Sequence, residues 1–95
     1  MIVKVIINRK VSKKSEPELQ SLLARLRNKA IEQPGYISGE TLTSVSNPGE
    51  TMVISTWLSL DHWNKWFKNP ERIELQTTID RVAEEPTKYS VFQYS

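Results

Sequence analysis

The first ten residues, MIVKVIINRK, form a predicted strand that carries apolar side chains on both of its faces. Because side chains alternate along a strand, Val3, Val5 and Ile7 lie on one face. Ile2 and Ile6 lie on the other. An antiparallel sheet with one solvated side does not require this second apolar set. The pattern therefore predicts a sheet that is covered on one face by helices and on the other by a partner.

Periodicity and turn signals predict six further elements. Ser15 and Glu18 match a capping box ahead of leucines at helical spacing, and Pro34 ends this helix. Ser59 is the predicted cap of a second helix, which reaches Phe67. The predicted elements after the first strand are a helix up to residue 33, strands at 36–45 and 51–58 joined by Asn47-Pro48-Gly49, helices at 59–67 and 71–83, and a strand at 87–94.

This order, β-α-β-β-α-(α)-β, predicts an α+β fold of the ferredoxin-like type, which is the split βαβ arrangement with a four-stranded antiparallel sheet. Residues 1–95 form a single predicted domain, because the chain is short and contains neither an internal repeat nor a linker. The fold alone decides no function, since RNA binders, metal chaperones, acylphosphatases and oxygenases share it.

The composition excludes several kinds of site. The absence of cysteine excludes disulfides, thiolate chemistry and Cys-based zinc sites. The single histidine, His62, excludes a centre with two or three histidine ligands, so no metal site is predicted. The formal net charge of +2 is too small to indicate a nucleic-acid partner. The basic cluster of Arg9, Lys10, Lys13 and Lys14 is therefore interpreted as a solvated loop after the first strand.

Hydropathy predicts neither a membrane partner nor a targeting segment. No segment approaches the roughly 20 apolar residues of a membrane-spanning helix. The apolar run at the N-terminus already contains Lys4 and is too short for a signal peptide. We therefore expect an intracellular, cytoplasmic protein.

Three tryptophans, Trp57, Trp63 and Trp66, fall within ten residues, and His62 lies one helical turn before Trp66. Bulky aromatic side chains over a small sheet are commonly core, and this is the interpretation for Trp63 and Phe67. Trp66 is either core or the wall of a pocket. His62 is either a hydrogen-bonded surface histidine or, if it faces a cleft, a candidate general base.

Asn8 is the second unusual residue, because it stands late in an otherwise apolar strand, on the face of Ile2 and Ile6. Asparagine is disfavoured in strands, and a buried amide without partners costs about 1–3 kcal/mol. Two interpretations stay open. Either the strand ends here and Asn8 begins the loop, or Asn8 is a functional residue.

Four motifs follow one another along the chain, namely Asn8-Arg9, Pro34-Gly35-Tyr36 with Gly39, Thr56-Trp57-Leu58-Ser59, and Trp66 in the following helix. Through the order and spacing of these motifs, nearly the whole chain resembles the antibiotic-biosynthesis-monooxygenase domain. The resemblance implies a dimeric α+β barrel, in which two sheets pack face to face, and a pocket between the helices and the sheet of each subunit. It also implies an oxidation of electron-rich aromatic substrates by dioxygen, without a metal, a flavin or another prosthetic group.

The sequence resembles the haem-degrading branch of this family only in part. Asn8 and Trp66 match the asparagine and the tryptophan of its working set. Ten residues after Trp66, where that branch carries its haem-ligating histidine, this chain has Gln76. Glutamine is a poor iron ligand, and His62 would have to ligate from a different place. The resemblance therefore favours an enzyme without a cofactor and leaves haem as an alternative.

The leading hypothesis is a cofactor-independent monooxygenase that acts as a homodimer on a small phenol or quinol. Its predicted catalytic residues are Asn8, which would hydrogen-bond the substrate oxygen, Trp66, which would stack on the ring, and His62, which would be the base. Gln76 would donate a second hydrogen bond. One alternative is a haem-binding or haem-degrading protein, and another is a non-catalytic dimeric module that binds small ligands. The predicted substrate-binding residues are Gln76, Trp57 and Phe92.

Overall fold

The computed structural model describes all 95 residues and contains four strands and three α-helices. A short 3₁₀ turn at Lys13–Ser15 leads into the first helix. None of the three helices combines the length and the apolar character that crossing a bilayer requires. The elements are β1 (Val3–Lys10), α1 (Glu16–Ala30), β2 (Tyr36–Thr43), β3 (Glu50–Trp57), α2 (Leu60–Phe67), α3 (Pro70–Val82) and β4 (Lys88–Gln93).

The four strands form one antiparallel sheet in the order β2-β3-β1-β4. The two central strands, β3 and β1, are separated in the chain by α1 and β2, and the last strand returns to pair with the first. This is the split βαβ arrangement, so the predicted α+β ferredoxin-like fold is confirmed.

Alternation along β1 turns Val3, Val5 and Ile7 towards the helices, where all three are buried. Burial of such aliphatic side chains stabilises a fold by about 1.5–3 kcal/mol each. They pack against the tryptophans of β3 and α2, while a second cluster joins α1 to α3. The first cluster comprises Val3, Val5, Ile7, Ala30, Trp57, Trp63 and Trp66, and the second Val11, Leu19, Leu22, Leu75 and Ile79.

The opposite side of the sheet carries no helix, and we call it the outer face. Ile6 of β1 lies there between its strand partners Ile54 and Ser90. Leu42 and Phe92 on the same face are 48% and 55% exposed. The second apolar face predicted for the first strand is therefore present and uncovered in the single chain. The apolar residues of the outer face are Ile6, Leu42, Met52, Ile54 and Phe92.

One of the two predicted helix caps forms. The Ser59 hydroxyl oxygen accepts a hydrogen bond from the backbone N–H of His62 (3.2 Å), which confirms the start of α2. The capping box at Ser15 and Glu18 is wrong. The 3₁₀ turn before α1 gives Ser15 a helical backbone, and its hydroxyl contacts that of Ser12 instead (3.4 Å).

A bulge interrupts the predicted alternation of β2. Its register with β3 shifts between Tyr36 and Ser38, so one extra residue is accommodated there. Strict alternation places Tyr36 and Gly39 on opposite sides of the sheet. The bulge instead brings both to the helix-facing side, where they pair with Trp57 and Ser55 of β3.

The turn between α1 and β2 brings Gly35 against the His62 ring. Gly35 has a φ of +85°, a backbone conformation that L side chains rarely adopt. A Cβ at this position would also overlap the imidazole of His62. The Gly35 carbonyl accepts a hydrogen bond from the N–H of Leu58 (2.8 Å). This turn therefore fixes the position at which α2 begins.

We expect Gly35→Ala to lower the free energy of unfolding by at least about 2 kcal/mol, since it adds a steric overlap to the cost of a left-handed backbone. Urea unfolding measures the loss. In a His62→Gly background the overlapping Cβ and ring atoms of His62 are all gone, so the cost of Gly35→Ala should fall to about 1–2 kcal/mol. If Gly35→Ala costs the same free energy of unfolding in both backgrounds, contact with the His62 side chain is not the reason that position 35 requires glycine.

Candidate functional site

A cleft opens between α1 and the helix-facing side of strands β1, β2 and β3, and we call it the α1 cavity. It is open to solvent at its mouth, and its cavity volume is about 70 Å³. Leu23, Leu26 and Ala30 of α1 line one side, and Ile7 and Val53 of the sheet line the other. A mostly apolar cleft with a few polar groups is the usual form of a small-molecule site.

Two aromatic rings wall the α1 cavity. Trp57 and Tyr36 meet edge to face, with ring centroids 5.4 Å apart and planes at 86°. The indole N–H of Trp57 donates to the Ser55 hydroxyl (3.1 Å), which fixes the orientation of the indole. A Cβ at position 39 would come within 2.6 Å of the Tyr36 hydroxyl oxygen. Gly39 therefore leaves the space in which that hydroxyl lies.

Arg9 is the buried charged residue in the lining of the α1 cavity and is only 3% exposed. Its Nη2 donates to Oε1 of Gln76 (3.0 Å), whereas its Nε has no hydrogen-bond partner. Burial lowers the pKa of Arg9 below its ordinary value. The Tyr89 oxygen opposes this shift, and the charge of Arg72 adds to it.

The interpretation of Arg9 as part of a solvated loop is wrong. The strand continues through Lys10, and alternation places Arg9 on the buried side with Val3, Val5 and Ile7. The sequence contained a signal of this buried position, because Arg9 follows Val3, Val5 and Ile7 in the same alternation, and a cation on a buried face is unusual. It was masked by the neighbouring lysines, which make the segment look uniformly basic.

Gln76 holds the Arg9 guanidinium in place. Its Nε2 donates to Oδ1 of Asp80 and to the Thr87 hydroxyl, both at 2.8 Å. Because an ionised carboxylate only accepts hydrogen bonds, the amide nitrogen must face Asp80 and the amide oxygen must face Arg9. Gln76 is buried and does not line the α1 cavity. Its predicted role as a hydrogen-bond donor to a substrate is not supported, since both of its N–H groups are engaged.

The six predicted site residues do not converge on one cavity. Asn8 lies on the outer face beside Met52 and Lys88, because it alternates with Ile7 and Arg9 along β1. Phe92 lies on the same outer face. Trp57 is the predicted residue that lines the α1 cavity. The expectation that Asn8 meets Trp66 at a common pocket is therefore wrong.

Trp66 and His62 occupy structural positions around α2. Trp66 is buried and stacks on Trp57, with centroids 6.5 Å apart and planes at 21°. It supports the wall of the cavity from behind. The Nδ1 of His62 lies 2.7 Å from the Ser59 hydroxyl, and the ring packs on Gly35. His62 does not reach the α1 cavity, so its role as a base stays a prediction without a geometric basis.

The residues considered for haem do not fit that cofactor. His62 lies outside the cavity, and the amide of Gln76 is held by three hydrogen bonds. No group of three or more His, Cys, Asp or Glu side chains is placed to hold a metal ion. The partial resemblance to the haem-degrading branch therefore does not extend to a ligand set.

A small α+β protein with an aromatic-walled cavity between a helix and a four-stranded sheet is the class that this fold and this site define. Within this class, the profile of the antibiotic biosynthesis monooxygenase family matches residues 2–78. The chain belongs to this family, which confirms the resemblance seen in its sequence. None of the curated proteins matches the chain in sequence.

Solved structures share the fold at low sequence identity. The chain is similar to a conserved protein from Methanosarcina mazei Go1 (13% identity, TM-score 0.93), with 100% of this chain and 94% of that chain covered. It is similar to SnoaB, a cofactor-independent oxygenase from Streptomyces nogalater (17%, 0.88), with 99% and 93% covered. It is also similar to Rv0793 from Mycobacterium tuberculosis (16%, 0.89), with 100% and 96% covered.

We expect Gln76→Leu to lower the free energy of unfolding by about 1–3 kcal/mol, because it leaves a buried guanidinium N–H without its acceptor. Gln33→Leu is the matched control, since the Gln33 amide bonds only an exposed helix carbonyl, that of Lys29. Its effect should stay within about 0.5 kcal/mol. Urea unfolding compares the two variants. Equal losses would mean that Gln76 does not support Arg9.

Proposed function

We propose that this chain is a cofactor-independent monooxygenase that oxidises a small electron-rich aromatic compound in the α1 cavity. The observation that carries the proposal is the cavity itself, an apolar cleft walled by Trp57 and Tyr36 in a member of the antibiotic biosynthesis monooxygenase family. Flat aromatic walls favour a flat ring, because offset and edge-to-face contacts add to the burial of apolar area. The likeness to SnoaB, named as a cofactor-independent oxygenase, supports the same activity.

The proposed chemistry needs no electrons from the protein. A phenol such as 1-naphthol reacts with O2 to give 1,4-naphthoquinone and water. A ring carbon loses hydrogen and gains one oxygen atom, and the second oxygen atom leaves as water. The phenol supplies all four electrons. The protein would contribute a dry, shaped site that holds the ring and stabilises the ionised phenol from which the electrons depart.

Two predicted residues take indirect roles in this proposal. Trp66 positions the indole of Trp57 by stacking on it, and Gln76 positions Arg9. Neither lines the cavity, so each is a positioning residue. Tyr36 was not among the predicted site residues, and its hydroxyl lies over Gly39 at the cavity wall. Asn8 and Phe92 belong to the outer face and take no part in the α1 cavity.

The test is oxygen consumption with a panel of one- to three-ring phenols and hydroquinones, corrected for their oxidation without protein. We expect turnover of at least one of them, with one 18O atom from 18O2 retained in the quinone. Gly39→Ala should lower kcat/KM by about ten- to a hundredfold, because the new methyl group displaces the Tyr36 hydroxyl. Ser38→Ala, the neighbouring position on the outer face, should leave kcat/KM unchanged.

Absence of protein-dependent oxygen consumption across the panel would contradict the enzyme proposal. If these compounds nevertheless bind, the non-catalytic binding module becomes the better description. Turnover that is equal in Gly39→Ala and the parent protein would place the chemistry outside the α1 cavity.

We also propose that the active form is a homodimer in which the outer faces of two copies pack together. Ile6, Met52 and Ile54 occupy the two central strands of that face, and Leu42 and Phe92 extend the apolar surface outwards. An apolar sheet face of this kind in a soluble domain usually marks an interface. A dimer is also what the family resemblance implies, and a small domain gains stability from it.

Sedimentation velocity tests this assembly. We expect the parent protein to sediment as a dimer and Ile54→Lys to sediment as a monomer, since the interface would have to bury an unpaired lysine from each copy. Ile73→Lys on α3 is the matched control, because Ile73 is an exposed isoleucine on the helical side of the protein. A monomeric parent protein, or a dimer that survives Ile54→Lys but not Ile73→Lys, would exclude the outer face as the interface.

A further inference from the structure

Arg9 is a buried cation whose hydrogen-bonding capacity the protein leaves partly unused. It is 3% exposed, and its Nε–H finds no acceptor. Burial of a charge is costly unless hydrogen bonds and an opposite charge compensate it. A buried donor without a partner calls for an explanation. One explanation is that the donor is kept for a ligand.

No carboxylate neutralises Arg9. The one ion pair in the chain is Lys29 with Glu71, on the surface between α1 and α3 (2.7 Å). Asp80 influences Arg9 electrostatically, yet the hydrogen-bonded path between them runs through the amide of Gln76. The positive charge at this end of the cavity is therefore left without a direct counter-charge.

Arg72, the other buried arginine of the protein, has a partner for its Nε. Its Nε donates to the Phe67 carbonyl (2.8 Å), and its Nη1 donates to the Tyr89 hydroxyl (3.1 Å). Its guanidinium also lies over the Phe67 ring, 4.5 Å from the centroid. Arg72 does not line the α1 cavity, whereas Arg9 does. Of the two buried arginines, the one that lines the α1 cavity is thus the one whose Nε has no partner.

Thr51 supplies a second unpartnered group beside Arg9. It is the direct strand partner of Arg9 in the β1–β3 register, so the two side chains lie side by side on the helix-facing side. Thr51 is buried, and its hydroxyl has no hydrogen-bond partner. In the whole chain, the buried side-chain atoms without a partner are Arg9 Nε and Thr51 Oγ1. Thr51 does not line the α1 cavity, so the residue of this pair that faces a ligand there is Arg9.

We propose that the Arg9 end of the α1 cavity binds an anionic oxygen of an aromatic ligand, with the Arg9 guanidinium as its donor. The apolar part of the cavity, between Trp57 and Tyr36, holds the ring. The proposal rests on the proposed use of this cavity as the ligand site. The anionic oxygen can come from an ionised phenol or from a carboxylate on the ring, because both present the same charged acceptor.

This anion site would also serve the proposed oxidation. An ionised phenol gives up electrons to O2 more readily than the neutral phenol does. A fixed cation in a dry cavity stabilises the ionised form without reorganising during the reaction. The ligand oxygen would thereby accept a hydrogen bond from the Arg9 guanidinium.

Anaerobic calorimetric titration of the full-length protein tests the proposal with matched ligands. 1-Naphthoate is compared with neutral 1-naphthamide, and the 4-nitro-1-naphtholate anion with its neutral methyl ether. We expect each anion, or one of the two, to bind about ten- to a hundredfold more tightly than its neutral counterpart. Preference in one pair alone identifies the source of the anion as carboxylate or phenolate.

Arg9→Gln should reduce the anion-to-neutral affinity ratio to about one, since it removes the charge and the Nε–H. Arg25→Gln is the matched control, because Arg25 is an exposed residue of α1 that does not line the cavity. Arg9→Lys keeps the charge but replaces the forked guanidinium, and should lower the ratio about three- to tenfold. It tests the site separately if Arg9→Gln does not fold.

Equal affinity of the parent protein for the anionic and neutral members of both pairs would overturn the proposal, as would absence of binding. An anion preference that survives both Arg9→Gln and Arg9→Lys would overturn it as well. Anion binding without oxygen consumption would leave this inference standing and remove the monooxygenase proposal. Turnover without an anion preference would remove this inference and leave the monooxygenase proposal standing.

Discussion

The packing of Trp57 is the interaction on which the rest of the structure depends. This residue ends β3, meets Tyr36 of β2 edge to face, and contacts Trp63 and Trp66 of α2 at centroid distances of 5.8 and 6.5 Å. The same ring walls the α1 cavity. Interiors are close-packed, so any displacement of the indole is transmitted to all of these neighbours. The stability of the fold and the shape of the cavity are therefore set by one side chain.

The fold could be predicted from the sequence because each element carries a local signal. The alternation of Val3, Val5 and Ile7 and the cap at Ser59 depend only on neighbouring residues, and the structure contains both. The capping box at Ser15 failed for a local reason too, since a turn that the pattern does not reveal precedes the helix. Element order then leaves few arrangements of the sheet.

The candidate site was harder to predict because its residues meet through tertiary contacts. The bulge after Tyr36 places that ring on the opposite side of the sheet from the one that strict alternation predicts. No residue type in the segment indicates the bulge. The amide of Gln76 is oriented by Asp80 and by Thr87, eleven residues further along the chain, so its role could not be inferred from its spacing to Trp66. Family motifs directed attention to Asn8, whereas alternation alone would have selected Arg9.

The neighbouring positions Asn8 and Arg9 serve opposite sides of one strand. Asn8 presents a neutral amide to the outer face, and Arg9 presents a cation to the cavity. A slip of one residue in β1 would exchange them, because every side chain would change sides. Insertion or loss of a single residue before this dipeptide could thus change the charge that a relative offers to its ligand while the sheet itself is retained. Ligand selectivity in such a scaffold can diverge through strand register as well as through substitution.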